Sequence, residues 1–332
     1  MDRRGAELAG LIALAGLLDV AAGTGLAYVA GFGATWSVLR HPDWSWMAAM
    51  AGALCLSFAG YYGAYHGIYA AEGGYRVSRR QLFALVTAGF GGFFAHWGTT
   101  PDDLVLQEAG ASHRDSMVRA LTLGGVEQGT LAVAGCGASV IVLGLGQTVP
   151  PDVTLPWAIV PVPAAILAWL AAARFAPRLR ERGRWRDGVA MFLDSVLLIR
   201  QLVARPLRHQ LALAGMLVFW AAEIFAVWAG LAAFGVAMDG AVLAAGVCTG
   251  MVFTRRVAPL AGAGTLTLIL PVAIWYCGAP LAVAVAGTFA YRALTLWLPM
   301  PFALATLPVL RRLTKGSLEA ELGQGRAGSV VS

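Results

Sequence analysis

The 332-residue chain is far too apolar for a soluble protein: 58% of its residues are hydrophobic and 13% are charged, against about a quarter charged residues in soluble domains. The mean hydropathy of +0.70 therefore excludes a soluble enzyme, and no polar stretch is long enough to fold as a separate catalytic domain. The net charge of +6 suits loops that lie on anionic lipid better than nucleic-acid binding, because few aromatic residues alternate with the basic ones. We therefore predict an all-α integral membrane protein.

Apolar segments long enough to cross a bilayer, which takes about 20 residues, recur along almost the whole chain. We predict about eight transmembrane helices, at residues 7–31, 46–70, 117–147, 156–174, 209–236, 241–254, 262–277 and 281–309. They form one polytopic membrane domain over residues 1–312, followed by a tail at 313–332 that we expect to be cytoplasmic and disordered. The first segment is read as an uncleaved span, because it is longer than a typical signal-peptide core and contains Asp19.

The topology depends on the short, glycine-rich apolar segment 81–95. If this segment re-enters the membrane and returns to the same side, the nine arginines of residues 174–208 share a side with Arg3 and Arg4. If it crosses, those nine arginines move to the outside. The positive-inside rule favours the first arrangement. We therefore predict a re-entrant segment and cytoplasmic N and C termini.

Two further segments have alternative interpretations. Arg255 and Arg256 interrupt the apolar run 241–277, so they mark either a cytoplasmic turn between two short spans or the deep tip of a hairpin that opens outward. Residues 189–208 carry apolar residues at helical spacing together with Arg200, Arg205 and Arg208. This pattern predicts a cytoplasmic interfacial helix, and a solvated linker helix is the alternative.

Ionisable residues inside the predicted spans give the sharpest functional signal, because hydrocarbon penalises them unless they pair or line a cavity. Glu127, Glu223 and Arg292 each lie within such a span. They serve either substrate binding or helix packing, and the sequence favours neither. Asp19 in the first span is interpreted as structural.

Two broken, glycine-rich regions add polar groups at membrane depth. His96 follows the re-entrant segment and precedes Pro101, Asp102 and Asp103, which predicts carboxylates at a cavity mouth. In the second region, Gly262, Gly264, Thr265 and Thr267 offer backbone and hydroxyl donors to an anion such as a lipid phosphate. Paired broken segments in corresponding halves are typical of transporters built from inverted repeats, with a substrate site near the midplane.

Motifs for enzymatic chemistry are missing from the sequence. His96 and Asp102 have one residue too many between them for an HxxxxD acyltransferase motif, and there is no Walker A sequence or paired-aspartate transferase motif. The four cysteines lie in apolar segments without metal-ligand spacing. We therefore expect no cofactor, no metal site and no catalytic residues.

Taken in chain order, several of these features resemble the lysylphosphatidylglycerol synthase transmembrane family, a flippase-like domain that also occurs alone. The residues that carry the resemblance are 90–100 with Pro101, then Gly110-Ala111-Ser112, then Pro259 with Gly262 and Gly264, then Gly278-Ala-Pro280, and finally Tyr291-Arg292 with Pro299. Thr267 stands where that family has a glutamate. The soluble aminoacyl-transferase domain of the full synthases has no counterpart in the chain.

This resemblance implies a lipid flippase that moves a phospholipid, such as aminoacyl-phosphatidylglycerol, or a lipid-linked headgroup between the leaflets of a bacterial cell membrane. In this hypothesis Arg292, Arg255 and Arg256 hold a phosphate, while Glu127, Glu223, Asp102 and Asp103 meet an amine or take up protons. The expected partners are membrane lipid and either a second copy of the chain or a lipid-modifying enzyme. The alternatives are the membrane component of a glycosyl- or aminoacyl-transferase and a scaffold that transports nothing.

Overall fold

The computed structural model describes residues 3–90, 101–179, 184–252, 262–306 and 308. Within these ranges the chain forms helices joined by turns and short connections, and it contains no strand. Thirteen helices are described: α1 Arg3–Ala30, α2 Phe32–Leu39, α3 Trp44–Ala70, α4 Arg79–Phe90, α5 Pro101–Glu108, α6 His113–Gly144, α7 Pro151–Ile159, α8 Pro161–Leu179, α9 Arg184–Ala204, α10 Gln210–Ala233, α11 Gly240–Gly250, α12 Thr265–Tyr276 and α13 Leu281–Arg292. The prediction of an all-helical membrane protein is confirmed at this level.

Six helical segments within the described ranges are long and apolar enough to cross a bilayer. They are Gly10–Ala30, Trp44–Gly73, His113–Gly144, Pro151–Leu179, Gln210–Ala233 and Leu281–Thr306. The other two predicted spans contain α11 and α12, whose 11 and 12 residues extend only about 16–18 Å. That length is little more than half of a hydrocarbon core of ~30 Å. The total of eight spans therefore stays a prediction.

Residues 253–261 of the segment that joins α11 to α12, with Arg255 and Arg256, lie outside the described residues. The two short helices pack against each other. Gly250 comes close enough that a methyl group at its Cα would lie 2.8 Å from the Cα of Leu270. Two short spans and an outward-opening hairpin would both give such a contact, so both alternatives for this region stay predictions.

Helix α4 covers the first ten residues of the predicted re-entrant segment, and the rest lies outside the described residues. Leu82, Leu85 and Val86 of this helix are fully inaccessible, whereas Phe83 is 52% exposed, so α4 packs one face against the protein interior. Whether this segment returns to the same side of the membrane stays a prediction.

Helix α9 covers residues 189–204 of the predicted interfacial helix and ends at Ala204, before Arg205 and Arg208. It packs on α8 and α6 through a buried face that includes Leu193 and Val196. Three apolar residues of this segment, Val189, Phe192 and Val203, remain exposed. Whether they lie against lipid headgroups stays a prediction. The predicted cytoplasmic tail is outside the described residues.

The most extensive helix–helix interface joins α3 to α10. It depends on small residues, because a methyl group at Gly60 would lie 2.7 Å from the carbonyl oxygen of Gly215. At Gly67 the added carbon would lie 2.4 Å from the backbone nitrogen of Ala212. Since the two backbones touch, these positions accept only glycine without movement of a helix.

At one end of this helix pair, the backbone N–H of Asp43 donates to the carbonyl oxygen of Ala233. The Asp43 carboxylate then caps α3 by accepting from the backbone N–H of Ser45. Hydrogen bonds from the hydroxyl and backbone of Ser45 lower the pKa of the Asp43 carboxyl below its ordinary value. The start of α3 is therefore fixed to the end of α10.

We predict that Gly67→Ala lowers thermal stability in detergent by several degrees, because overpacking of a close contact costs about 1–3 kcal/mol. Gly52→Ala on the same helix is the matched control, since a methyl group there has no neighbour within 4 Å. Thermal unfolding followed by circular dichroism measures both. Equal melting temperatures for the two variants would contradict the backbone contact described above.

Candidate functional site

Buried acidic side chains lie within three of the long apolar helices: Asp19 in α1, Glu127 in α6 and Glu223 in α10. Placing such groups in hydrocarbon is costly unless hydrogen bonds or opposite charges compensate. Each of the three accepts hydrogen bonds from residues of other helices. Their partners therefore show how the helices are connected at membrane depth.

Glu223 connects three helices. One of its carboxylate oxygens accepts from the Ser57 hydroxyl of α3 at 2.6 Å, and the other accepts from the Tyr291 hydroxyl of α13. The side chain is almost fully buried. The α3–α10 contact brings Ser57 to this position.

Glu127 of α6 faces the same helix pair. Its carboxylate accepts from the Tyr61 hydroxyl of α3 at 2.8 Å. Its backbone carbonyl accepts from the indole N–H of Trp220 on α10 at 2.8 Å. Side chain and backbone of one residue thus hold α6 against both α3 and α10.

The two glutamates line one cavity. Its walls are formed by Glu127, Phe219, Trp220, Glu223, Met251, Leu266 and Tyr291. The volume is about 20 Å³, which holds about one water molecule and is far too small for a phospholipid headgroup. In the described conformation this cavity is therefore closed to a lipid headgroup.

Asp19 forms a second buried polar cluster. One carboxylate oxygen accepts from the backbone N–H of Gly264 at 2.8 Å and from the Thr267 hydroxyl at 2.6 Å. The guanidinium of Arg292 lies 3.3 Å from the other oxygen, and both side chains are at most 4% exposed. Asp19 therefore caps the start of α12 from a different helix and neutralises the buried arginine of α13.

Three of the donors predicted to hold a lipid phosphate, on Gly264, Thr267 and Arg292, thus converge, but on a carboxylate of the chain itself. Gly264 precedes α12 with φ +74° and Gly262 has φ +71°, a backbone region that favours glycine. These glycines turn the chain so that the Gly264 N–H points to Asp19. Thr265 begins α12 one residue after this turn.

Asp102 and Asp103 form a third cluster, in the first turn of α5. Asp102 accepts from the Tyr69 hydroxyl of α3 at 2.6 Å. Asp103 accepts from the hydroxyl of Ser116 and lies 2.8 Å from Nδ1 of His113. Both aspartates are buried rather than exposed at a cavity mouth. His96, which we grouped with them, is outside the described residues, as are Arg255 and Arg256.

The sequence pattern assigned no function to the tyrosines whose hydroxyl groups donate hydrogen bonds to these buried carboxylates. Tyr61, Tyr65 and Tyr69 lie four residues apart on α3, and all three are buried. A tyrosine at every fourth position of an apolar helix is the signal that could have found them, because such residues share one face.

Arg119 was not predicted as a functional residue either. This buried side chain of α6 donates from one nitrogen to the carbonyl oxygens of Ile68, Tyr69 and Ala71, at 2.9–3.1 Å. These carbonyls belong to the end of α3, where a cation is favourable. No sequence pattern indicates this contact between residues about 50 positions apart.

We predict that Asp19→Ala and Arg292→Ala each lower the free energy of unfolding by about 3–5 kcal/mol, because each leaves a buried charge without its opposite. The double variant should lose less than the sum of the two. Unfolding in mixed detergent micelles measures this double-mutant cycle.

The control cycle uses Arg114 and Asp194, which lie 2.9 Å apart with the Arg114 side chain 40% and the Asp194 side chain 10% exposed. Because solvent reaches the Arg114 guanidinium, this coupling should be smaller than that of Asp19 and Arg292. A coupling for Asp19 and Arg292 no larger than the control would contradict the buried ion pair.

Comparison of the chain with models of known protein families finds no match, and comparison with curated proteins finds none either. The resemblance to the lysylphosphatidylglycerol synthase transmembrane family therefore stays a prediction. The case for a function accordingly rests on the composition and the site geometry described above.

Proposed function

We propose that the chain is a flippase-like membrane transporter that moves a phospholipid or lipid-linked headgroup between leaflets. The observation that carries this proposal is that Glu127 and Glu223, on two different apolar helices, line one cavity inside the protein. Burying two ionisable groups there costs free energy that apolar side chains would not cost. Ionisable residues inside membrane-spanning helices mark transport pathways and proton relays. We infer that they bind an amine headgroup or take up protons during transport.

The size of the cavity sets a condition on this mechanism. Because the described conformation has room for about one water molecule, a headgroup enters only after helices move apart. The α3–α10 pair has backbone contacts and is suited to stay rigid. The short helices α11 and α12, which contribute Met251 at the end of one and Leu266 at the start of the other, are the elements whose displacement would open the cavity.

Arg292, Gly264 and Thr267 form the anion-binding part of the proposal. They bind Asp19 in the described conformation, so a lipid phosphate would have to replace the Asp19 carboxylate. Either protonation of Asp19 or displacement of α1 would release these donors. An anionic lipid and Asp19 are thus proposed to compete for the same donors.

The proposal also includes the membrane in which the protein acts and the orientation of its termini. Six apolar helices of sufficient length support a multi-pass membrane protein, and the arginine-rich loops favour a cell membrane with both termini cytoplasmic. Membrane lipid is the proposed partner, with a second copy of the chain or a lipid-modifying enzyme as the proposed protein partner.

The test is reconstitution of the purified chain into liposomes that contain a fluorescent phospholipid, with a membrane-impermeant quencher to report leaflet exchange. We expect exchange above empty liposomes, and a loss of about tenfold or more for Glu127→Gln and Glu223→Gln, equivalent to about 1.4 kcal/mol of barrier. Glutamine keeps the shape and the acceptor oxygen, so folding should survive. Runs with and without a proton gradient show whether transport is coupled to protons.

The matched control is Asp152→Asn, whose carboxylate lies away from the cavity and accepts from the Tyr276 hydroxyl. It should transport as well as the parent chain. Absence of leaflet exchange under every gradient would overturn the proposal. Appearance of a modified lipid in the extract would show a transferase instead.

A further inference from the structure

A stripe of tyrosines on α3 connects two of the buried acidic clusters. Tyr61, Tyr65 and Tyr69 are 6%, 0% and 1% exposed. Successive rings meet edge to face, with centroids 5.2 Å apart for the first pair and 5.4 Å for the second. The three phenols therefore form one continuous column inside the protein.

Both ends of this column bind a carboxylate. The Tyr61 hydroxyl donates to Glu127 at 2.8 Å, and the Tyr69 hydroxyl donates to Asp102 at 2.6 Å. The distance along α3 from Tyr61 to Tyr69 is about 12 Å, since each residue adds 1.5 Å. The tyrosine rings thus extend along α3 from the carboxylate of Glu127 at the cavity to that of Asp102 in the α5 cluster.

The α5 end of the column leads towards water. Asp103 follows Asp102 in the chain and lies 2.8 Å from Nδ1 of His113, whose side chain is 65% exposed. The exposed imidazole can exchange protons with the aqueous phase, whereas the two aspartates are buried. The exposed His113 thus contacts Asp103, whose chain neighbour Asp102 binds the last tyrosine of the column.

We propose that Tyr61, Tyr65 and Tyr69 relay protons between the aqueous face at His113 and the carboxylate of Glu127. One proton enters from solution, each hydroxyl gives up its proton as it receives another, and Glu127 gains one proton. Successive phenols are about 6 Å apart along the helix axis, so a bridging water between hydroxyls completes each step. The relay rests on the proposed function, for which it supplies the protonation step.

A simple packing role would give the same buried column, so the test has to remove a hydroxyl and keep the ring. Tyr65→Phe does this in the middle of the column, and it leaves the hydroxyls bound to Glu127 and Asp102 in place. Tyr62→Phe is the matched control, because Tyr62 is on the same helix and packs against the core without belonging to the column.

The measurement is time-resolved infrared spectroscopy of the reconstituted protein after a pH jump. The carboxyl band of Glu127 is assigned by its loss in Glu127→Gln. We expect Tyr65→Phe to slow protonation of Glu127 by at least about tenfold, which corresponds to about 1.4 kcal/mol of added barrier. The pH at which the band is half-formed should stay unchanged. Tyr62→Phe should protonate at the parent rate.

Equal rates for Tyr65→Phe and Tyr62→Phe would overturn the relay, as would a Glu127 band that does not respond to pH. Neither result decides lipid transport, which the liposome experiment measures separately. If Tyr65→Phe slows protonation while no lipid moves, the relay stands and the lipid substrate is wrong. If lipid moves and depends on Glu127 but the Tyr65→Phe rate is normal, only the relay fails.

Discussion

The backbone contact between α3 and α10 is the constraint on which the polar interior depends. Glycines at the crossing let the two helices approach until backbone atoms touch, and no larger residue permits this separation. Only at this distance does Ser57 reach Glu223, while Tyr61 on the same helix reaches Glu127. The small residues of this interface therefore determine which hydrogen-bond donors the acidic residues reach. Apolar burial contributes little to helix association within a membrane. Close backbone contacts of this kind therefore determine much of how the helices are arranged.

The sequence allowed the helical class and the approximate bounds of most helices to be predicted, because runs of apolar residues are a strong signal in hydrocarbon. It also identified Glu127, Glu223 and Arg292 as buried ionisable residues, since charge is rare in such runs. It could not show which residue each acid contacts. Asp19 and Thr267 are 248 positions apart in the chain, and no local pattern predicts a pairing over that distance. The interpretation of Asp19 as structural agrees with its position as the cap of α12.

At the predicted anion site, the sequence indicated the donors but not the anion that they bind. Glycines, a threonine and an arginine are the correct chemistry for binding an anion, and they do come together around one carboxylate. Composition cannot distinguish an anion that arrives as a ligand from one supplied by another helix of the same chain. That distinction depends on the placement of α1, which is set by tertiary packing. The tyrosine column was overlooked for a related reason, because aromatic residues in a span are usually interpreted as packing.

Helix α13 contacts two of the acidic clusters through consecutive residues, since Tyr291 donates to Glu223 and Arg292 pairs with Asp19. Neighbouring residues on a helix point about 100° apart, so the two anchors hold α13 from different directions. Rotation of α13 about its own axis would weaken both contacts at once. If one contact is lost, the other still opposes the rotation. The π-helical segment Ala293–Trp297 begins directly after these anchors, where the wider winding already departs from the α-helical register. Rotation of α13 therefore requires Tyr291 to leave Glu223 and Arg292 to leave Asp19, so one helix couples the two acidic clusters.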